Sequence, residues 1–432
     1  MKPIDFRYGK DILSIPVPGN PEVYESRYPE NKRSARETVA LALDSPNGKK
    51  PFIHDLKENW NGIDPVVIVV SDITRPIPYH SFLPELLNKL QEAGVRKDQI
   101  KILIATGMHR PSTQKERREM FGENIASHYT IIDHHADKPE ALRKVSGRTR
   151  NGLEIILNRH YVEAGYRIIT SLVEPHFMAG FSGGRKTICP GLSSIDTIRN
   201  FHGFAMLDDP HAQSAIIKDN PCHQEALSVA QAASPDYAIN LILDNKRNIT
   251  EAFAGDYIQS HLKSIALVEQ FACKKVEHTA DIVITSSGGY PLDSTFYQCV
   301  KGFVACLPAL REGGTVIALG SCSEGIGSPE YEKLMKRYHG HWEQFLADSK
   351  DSAHFIKDQW QYQMHTRALK KAGMDQLHFF TDHLPQQELD MLSVSGHSVK
   401  KENVAGVIEA LLGKSHDQKI AVFPEGPYCV PV

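Results

Sequence analysis

Residues 66–76 read VVIVVSDITRP, and this stretch decides the fold. Val66–Ser71 is an almost unbroken β-branched run without polar alternation, which suits a strand buried on both faces. Such strands belong to parallel sheets covered by helices. Asp72, Thr74, Arg75 and Pro76 follow at once, at the carboxyl end of the strand, where open α/β sheets form their ligand crevice. The pattern recurs as KILIA at 101–105, RIITS at 167–171, NLIL at 240–243, DIVIT at 281–285 and TVIAL at 315–319. Between these runs lie amphipathic stretches such as 79–93, with Phe82, Leu83, Leu86, Leu87 and Leu90 at helical spacing. The alternation predicts an α/β protein of two domains, with parallel or mixed sheets flanked by helices. Charged stretches near residues 275 and 400 divide the chain into an N-terminal domain, 1–275, and a second α/β domain, 276–403. The last segment, 404–432, holds a helix pattern and the strand-like IAVF, and is expected to return to the first domain.

A chain of 432 residues with 41% hydrophobic and 23% charged residues has apolar surface enough for a core without disulfide or metal staples. Lys+Arg is 49 against Asp+Glu 52, so no global positive field draws in nucleic acid. The seven cysteines are scattered and contain no CxxC pair, which argues against a disulfide framework and a cysteine zinc site. The N-terminal stretch lacks a signal-like apolar run, and no run approaches 18 apolar residues. The reading is a soluble, cytoplasmic protein with no membrane or nucleic-acid partner.

Five strand ends carry prolines, glycines and reactive side chains, the placement at which function concentrates. The loop at 180–187, GFSGGRKT, invites an anion nest of backbone N–H groups. It approaches the P-loop pattern, but Arg185 stands where the second glycine is required. No GxGxxG follows a strand, so the dinucleotide fingerprint is missing. Among 21 histidines, His109 and His176 stand out, each just past a predicted strand and beside a proline-stiffened turn. Two imidazoles reaching one crevice can serve as general base and acid near neutral pH. His134 and His135 lie in a polar stretch and are expected to be solvated. Arg75 and Lys301 are the best carboxylate clamps, one a planar fork and the other a point charge.

Taken together, these residues resemble the nickel-dependent lactate racemase family. The likeness rests on DxTRP at 72–76, GxHRPxTxxE at 107–116, and HxxAGFSGGxKxxxPG at 176–191 followed by His202. It rests also on GGYPxD with YQxxKG between residues 288 and 302. The resemblance implies a two-domain enzyme with its active site in the interdomain cleft. It implies a nickel-pincer nucleotide, pyridinium-3,5-bisthiocarboxylic acid mononucleotide nickel, covalently linked through Lys186 and made by separate cofactor-synthesis proteins. By position, His202 is the nickel ligand, and Asp72, Ser182, Gly183 and Gly184 seat the cofactor. His109 and His176 are the acid/base pair; Arg75, Tyr297, Gln298 and Lys301 hold the substrate; Trp360 closes the pocket.

The implied reaction is racemisation or epimerisation at C2 of a small 2-hydroxy acid. Removing hydride from C2 gives a neutral ketone, whereas removing a proton would put a second negative charge beside the carboxylate. Hydride chemistry of this kind needs no free NAD, since the cofactor carries it. Two other readings stand beside it: an α/β NAD-type dehydrogenase, disfavoured by the missing fingerprint, and a non-catalytic nucleotide- or anion-binding protein.

Overall fold

Val66–Ser71 forms a strand whose first five residues are buried. Its side chains alternate between two cores: Val67 and Val69 enter one apolar cluster, Val66, Ile68 and Val70 another. The period-two geometry of a strand therefore explains why the sequence shows no polar face: both faces are covered. The computed structural model describes residues 2–28, 30–75, 77–244, 246–351, 355–413 and 418–432; Pro76, which closes the first motif, lies outside the described residues.

The first six-stranded sheet runs, edge to edge, Ile249–Gly255, Tyr237–Leu243, Tyr166–Leu172, Val66–Ser71, Ile100–Ala105 and Thr130–Asp133. Neighbours are parallel except at the Ile249–Gly255 edge, which pairs antiparallel with Tyr237–Leu243. From Val66–Ser71 the chain first winds outward through Ile100–Ala105 and Thr130–Asp133, then crosses back to Tyr166–Leu172 on the other side. The loops leaving Ser71 and Leu172 thus diverge, opening a crevice at the point where strand order reverses. The helix Tyr79–Glu92, one residue shorter than its pattern predicts, buries Phe82, Leu83, Leu86, Leu87 and Leu90 against this sheet.

The second sheet is all parallel, in the order Ser395–Ser398, Leu377–Thr381, Leu310–Leu319, Ala280–Ser286, Ile420–Phe423 and Glu22–Val23. This corrects the placement of the last segment. Ile420–Phe423 was expected to return to the first domain; it lies instead between Ala280–Ser286 and Glu22–Val23. All four of its residues are buried, and such a strand needs ladder partners on both sides. The chain start also belongs here rather than with residues up to 275. The hairpin Lys2–Tyr8/Asp11–Val17 and the helix Lys401–Leu412 cover Ile282, Ile284, Ile317 and Leu319 on one face of the second sheet. One apolar cluster crosses between the two units, joining Val67, Val69 and Phe201 to Val283, Phe296 and Trp360. Among the described residues no helix is long and apolar enough to cross a membrane.

Candidate active site

The crevice predicted by the strand order is present. A cavity of about 170 Å³ is lined from the first sheet by Ser71, Asp72, Ser171 and Leu172, and from the second unit by Tyr297, Gln298, Lys301 and Trp360. Every expected site residue except Gly184 lines it: His109, His176, Ser182, Gly183, Lys186, His202 and Arg75 complete the set.

His109 sits in the turn after Ile100–Ala105, fixed by its own N–H to the Thr106 carbonyl (2.9 Å) and by the Gly107 N–H to the Gly191 carbonyl (3.0 Å). Its Nδ1 lies 2.5 Å from Asp72 Oδ2, while Thr74 Oγ1 donates to Asp72 Oδ1 at 2.6 Å. Burial pushes the Asp72 carboxyl up, but His109, Thr74 and Arg75 outweigh it and hold it below the ordinary carboxylate value. With a carboxylate at Nδ1, the neutral ring keeps its proton there and offers a lone pair at Nε2. Asp72, expected to seat a cofactor, thus has its carboxylate on His109.

His176 ends the two-residue strand Pro175–His176, which turns back onto Gly180–Phe181. The N–H groups of Met178 and Ala179 in that turn donate to its Nδ1 at 3.2 and 3.3 Å. The neutral ring therefore carries its proton on Nε2, the reverse of His109. Burial, then the charges of Lys186, Arg75 and Lys301, push its pKa well below the ordinary histidine value. Burial and these charges all favour the neutral ring.

Cations line the cleft. Arg75 Nη1 pairs with Glu174 Oε1 at 3.2 Å, and Lys301 Nζ donates to Gln298 Oε1 at 2.5 Å. Burial and the neighbouring Arg75 bring both Lys301 and Lys186 down to about 7. The Lys186 ammonium lies 4.9 Å from the Phe201 ring centroid. Tyr297 and Trp360 form one wall: the indole N–H donates to the Tyr297 hydroxyl at 2.8 Å, and the indole stacks on His202 at 4.6 Å.

The loop at 180–187 is not a free nest of amides. The Ser182 N–H donates to the Glu174 carbonyl (2.9 Å) and the Gly184 N–H to Ser171 Oγ (3.0 Å). Gly184 lies behind the lining, where a Cβ would meet the His261 ring at 2.6 Å. Gly183 adopts φ +76°, and a Cβ there would come within 2.9 Å of the Leu172 carbonyl, so glycine is required for the close approach. Arg185 turns into the core and donates to the Ala179 carbonyl at 2.8 Å. His134, expected to be solvated, is buried, with Nε2 at 2.9 Å from the Ser193 carbonyl. Its Nδ1 takes the Asn158 side-chain amide at 3.1 Å, so a backbone carbonyl and a distant side chain together satisfy the buried ring.

Sequence reasoning placed Thr74 at the strand end without a role and missed Phe177, Asp358 and Gln361; all four also line the cavity. Phe177 had only its place beside His176 as a signal, in a loop that also carries the apolar Val173, Met178, Ala179 and Phe181. Asp358 and Gln361 belong to no strand end, and only the packing of Gln359–Ala372 against the first unit brings them in.

The family model described as the lactate racemase N-terminal domain matches residues 8–215, and that of the lactate racemase C-terminal domain matches residues 275–430. The chain is 34% identical over 376 residues to a lactate racemase of Thermoanaerobacterium thermosaccharolyticum, covering 85% of this chain and 86% of that one. The chain belongs to the lactate racemase family. It is an isomerase of the racemase class. A lactate racemase of Lactiplantibacillus plantarum is likewise 34% identical, over 78% of both chains. The solved lactate racemase apoprotein from T. thermosaccharolyticum superposes with a TM-score of 0.87 at 30% identity, covering both chains fully. A Thermotoga maritima protein of solved structure shares the fold at a TM-score of 0.68 and 17% identity, over 95% of this chain and 100% of that one.

The family implies a nickel-dependent cofactor, and the donor set here fits one that brings its own ligands. Among the described residues no group of three His, Cys, Asp or Glu side chains could hold a metal ion. His202 is suited to act as a single ligand: its Nδ1 meets the Ile198 carbonyl at 3.0 Å, which fixes the proton there and leaves a lone pair at Nε2. Burial, then the Lys186 charge, lowers its pKa to about 3, so the ring is neutral as a ligand must be.

Proposed function

We propose that this protein inverts C2 of a small 2-hydroxy acid by hydride removal and return, with lactate, the acid in the names of its relatives, the first substrate to test. The observation that carries the reading is the convergence on one cavity of two histidines in opposite tautomers, two cations and a buried lysine. Lys186 would hold a nickel-pincer nucleotide through a thioamide, since an amine lowered to about 7 is substantially neutral and nucleophilic at neutral pH. His202 Nε2 would complete the nickel coordination, and Ser182 and Gly183 would flank the cofactor. When bound, that group supplies an acceptor and donor of hydride at C2.

The remaining work falls to side chains of this chain. Arg75 and Lys301 hold the substrate carboxylate, so that only the oxygen-bearing end of the molecule reorients. Tyr297, Gln298 and Trp360 bound the space in which it turns. His109 Nε2 accepts the hydroxyl proton of one enantiomer, and the Asp72 carboxylate stabilises the imidazolium that results. C2 loses hydride as its oxygen loses that proton, and a flat 2-oxo acid is left. His176 serves the opposite side. Substrate carboxylate between Arg75 and Lys301 offsets the charges that keep His176 neutral, so the ring takes a second proton at Nδ1 as the Met178 and Ala179 amides release it; that imidazolium gives its Nε2 proton to the ketone oxygen, and Nε2 takes it back in the reverse direction.

The test is a panel of enantiopure 2-hydroxy acids given to cofactor-loaded protein and read by chiral chromatography. Interconversion of both enantiomers without added NAD is expected. Turnover that requires NAD, or no interconversion of any acid, overturns the proposal.

A further inference from the structure

A second cavity of about 340 Å³ lies beyond the catalytic one, and Phe177 lines both. The two follow one another along the same pair of helices. On Phe296–Ala305, Gln298 and Lys301 face the catalytic cavity, while Val304 and Ala305, one turn on, face the second. On Gln359–Ala372, Trp360 and Gln361 face the first, and Arg367, Lys370 and Lys371 the second. From Lys301 to Val304 the first helix advances one turn, about 5 Å, and from Gln361 to Arg367 the second advances six residues, about 9 Å, with Phe177 the residue that borders both cavities between them. That ring is 4% exposed, and the Lys301 ammonium lies 5.9 Å from its centroid.

The second cavity has an apolar floor and a positive mouth. Val304, Ala305 and Leu307 are buried along it, and Lys370 and Lys371 stand at the rim against one acid, Glu312. Arg367 is committed elsewhere: it donates to the carbonyls of Ala212 (2.8 Å), Leu207 (2.5 Å) and Asp209 (3.0 Å), bracing the loop that forms the far wall. An apolar stem ending in a negative group matches this space, with methylenes on the floor and a carboxylate at the lysines.

We propose that Phe177 sets the size limit of the substrate, by separating the catalytic cavity from a cation-rimmed subsite that fits the distal carboxylate of a 2-hydroxy diacid. The proposal rests on the racemase reading for its choice of substrates. With the ring in place the catalytic cavity ends at Phe177 and suits a small group on C2. Without it, the stem of a five-carbon diacid passes the one-turn step from Lys301 to Val304, and the long side chains of Lys370 and Lys371 reach back to its distal carboxylate.

The experiment uses full-length, cofactor-loaded wild type, Phe177→Leu and Phe177→Ala, each given enantiopure lactate or 2-hydroxyglutarate and followed by chiral chromatography. The ratio of kcat/KM for 2-hydroxyglutarate to that for lactate is expected to rise at least about tenfold in Phe177→Ala and less in Phe177→Leu. Replacing Lys370 and Lys371 with alanine in the Phe177→Ala background is expected to reverse the gain. Calorimetric binding of 2-oxoglutarate against pyruvate to cofactor-free samples of the same proteins should move in parallel. The proposal is overturned if wild type takes both acids equally well, or if the ratio is unchanged in folded Phe177→Leu and Phe177→Ala. A gain that survives loss of both lysines also overturns the charged subsite. If no sample racemises any acid while the binding ratio shifts, the racemase reading fails and the partition at Phe177 stands.

Discussion

Replacing Asp72 with asparagine tests the proton chemistry at the atom where it is best defined. The substitution keeps the shape of the side chain and an oxygen for Thr74 Oγ1, which donates to Asp72 Oδ1 at 2.6 Å. It puts an amide NH2 against His109 Nδ1, where a carboxylate oxygen now stands at 2.5 Å. Two losses follow. The charge-assisted bond itself is worth about 1.5–3 kcal/mol, or roughly 10- to 150-fold in rate. The amide also makes Nδ1 an acceptor, which moves the ring proton to Nε2 and removes the base; behind other catalytic histidines that change costs about 10⁴-fold. The expected fall in kcat therefore lies between about 10² and 10⁴. Enantiomers have equal free energy, so kcat/KM must fall by the same factor from either side. Initial rates from each enantiomer by chiral chromatography provide the measurement, with intact-protein mass to confirm equal cofactor loading. A fully loaded Asp72→Asn protein with kcat within about threefold of wild type would refute the reasoning, and a failure to load would return Asp72 to a cofactor-seating role.

Four further outcomes follow from the same site and its surroundings. Lys186, lowered to about 7, should react with an amine reagent half-maximally near that pH in the cofactor-free protein, and Lys186→Arg should carry no cofactor mass; labelling that tracks surface lysines counts against the assignment. His176 should show the nitrogen NMR signature of a neutral ring protonated at Nε2 in the substrate-free protein at pH 7, and an imidazolium signal there would exclude the tautomer derived from the Met178 and Ala179 amides. Arg75→Ala should weaken apparent substrate affinity by about 2–5 kcal/mol, since Glu174 is then left without its 3.2 Å partner beside the cleft; unchanged KM would remove Arg75 from the clamp. Glu116, held by Arg110 and the Thr113 cap at about 2, should contribute stability above its ordinary pKa and lose it as pH falls from about 4.5 toward 2; acid melting curves of Glu116→Gln that match wild type would contradict this.

Much of this site is legible before folding because its chemistry is carried by short motifs at strand ends. Asp72, Arg75, His109 and His176 lie within a few residues of a buried run, and a strand end in an α/β sheet has few places to point; Lys186 is carried by the glycine-rich loop further on. Their roles were less legible than their location. Asp72 and Gly184 read alike as cofactor contacts, yet one bears on His109 and the other on Ser171. Hydrogen-bond partners are set at ångström scale by turns the motif does not encode. Residues of the second unit were harder still, because Asp358 and Gln361 reach the cavity only through the packing of a helix against a different sheet.

The sequence by itself determined the parallel strands, the helices between them and the side chains at the strand ends, since burial on both faces is written in local composition. The tertiary structure alone decided that Ile420–Phe423 and the chain start complete the second sheet, that the two histidines hold opposite tautomers, and that Phe177 stands between two cavities. Pairing partners, ring protons and shared walls depend on contacts between residues far apart along the chain, and local pattern carries no record of those distances.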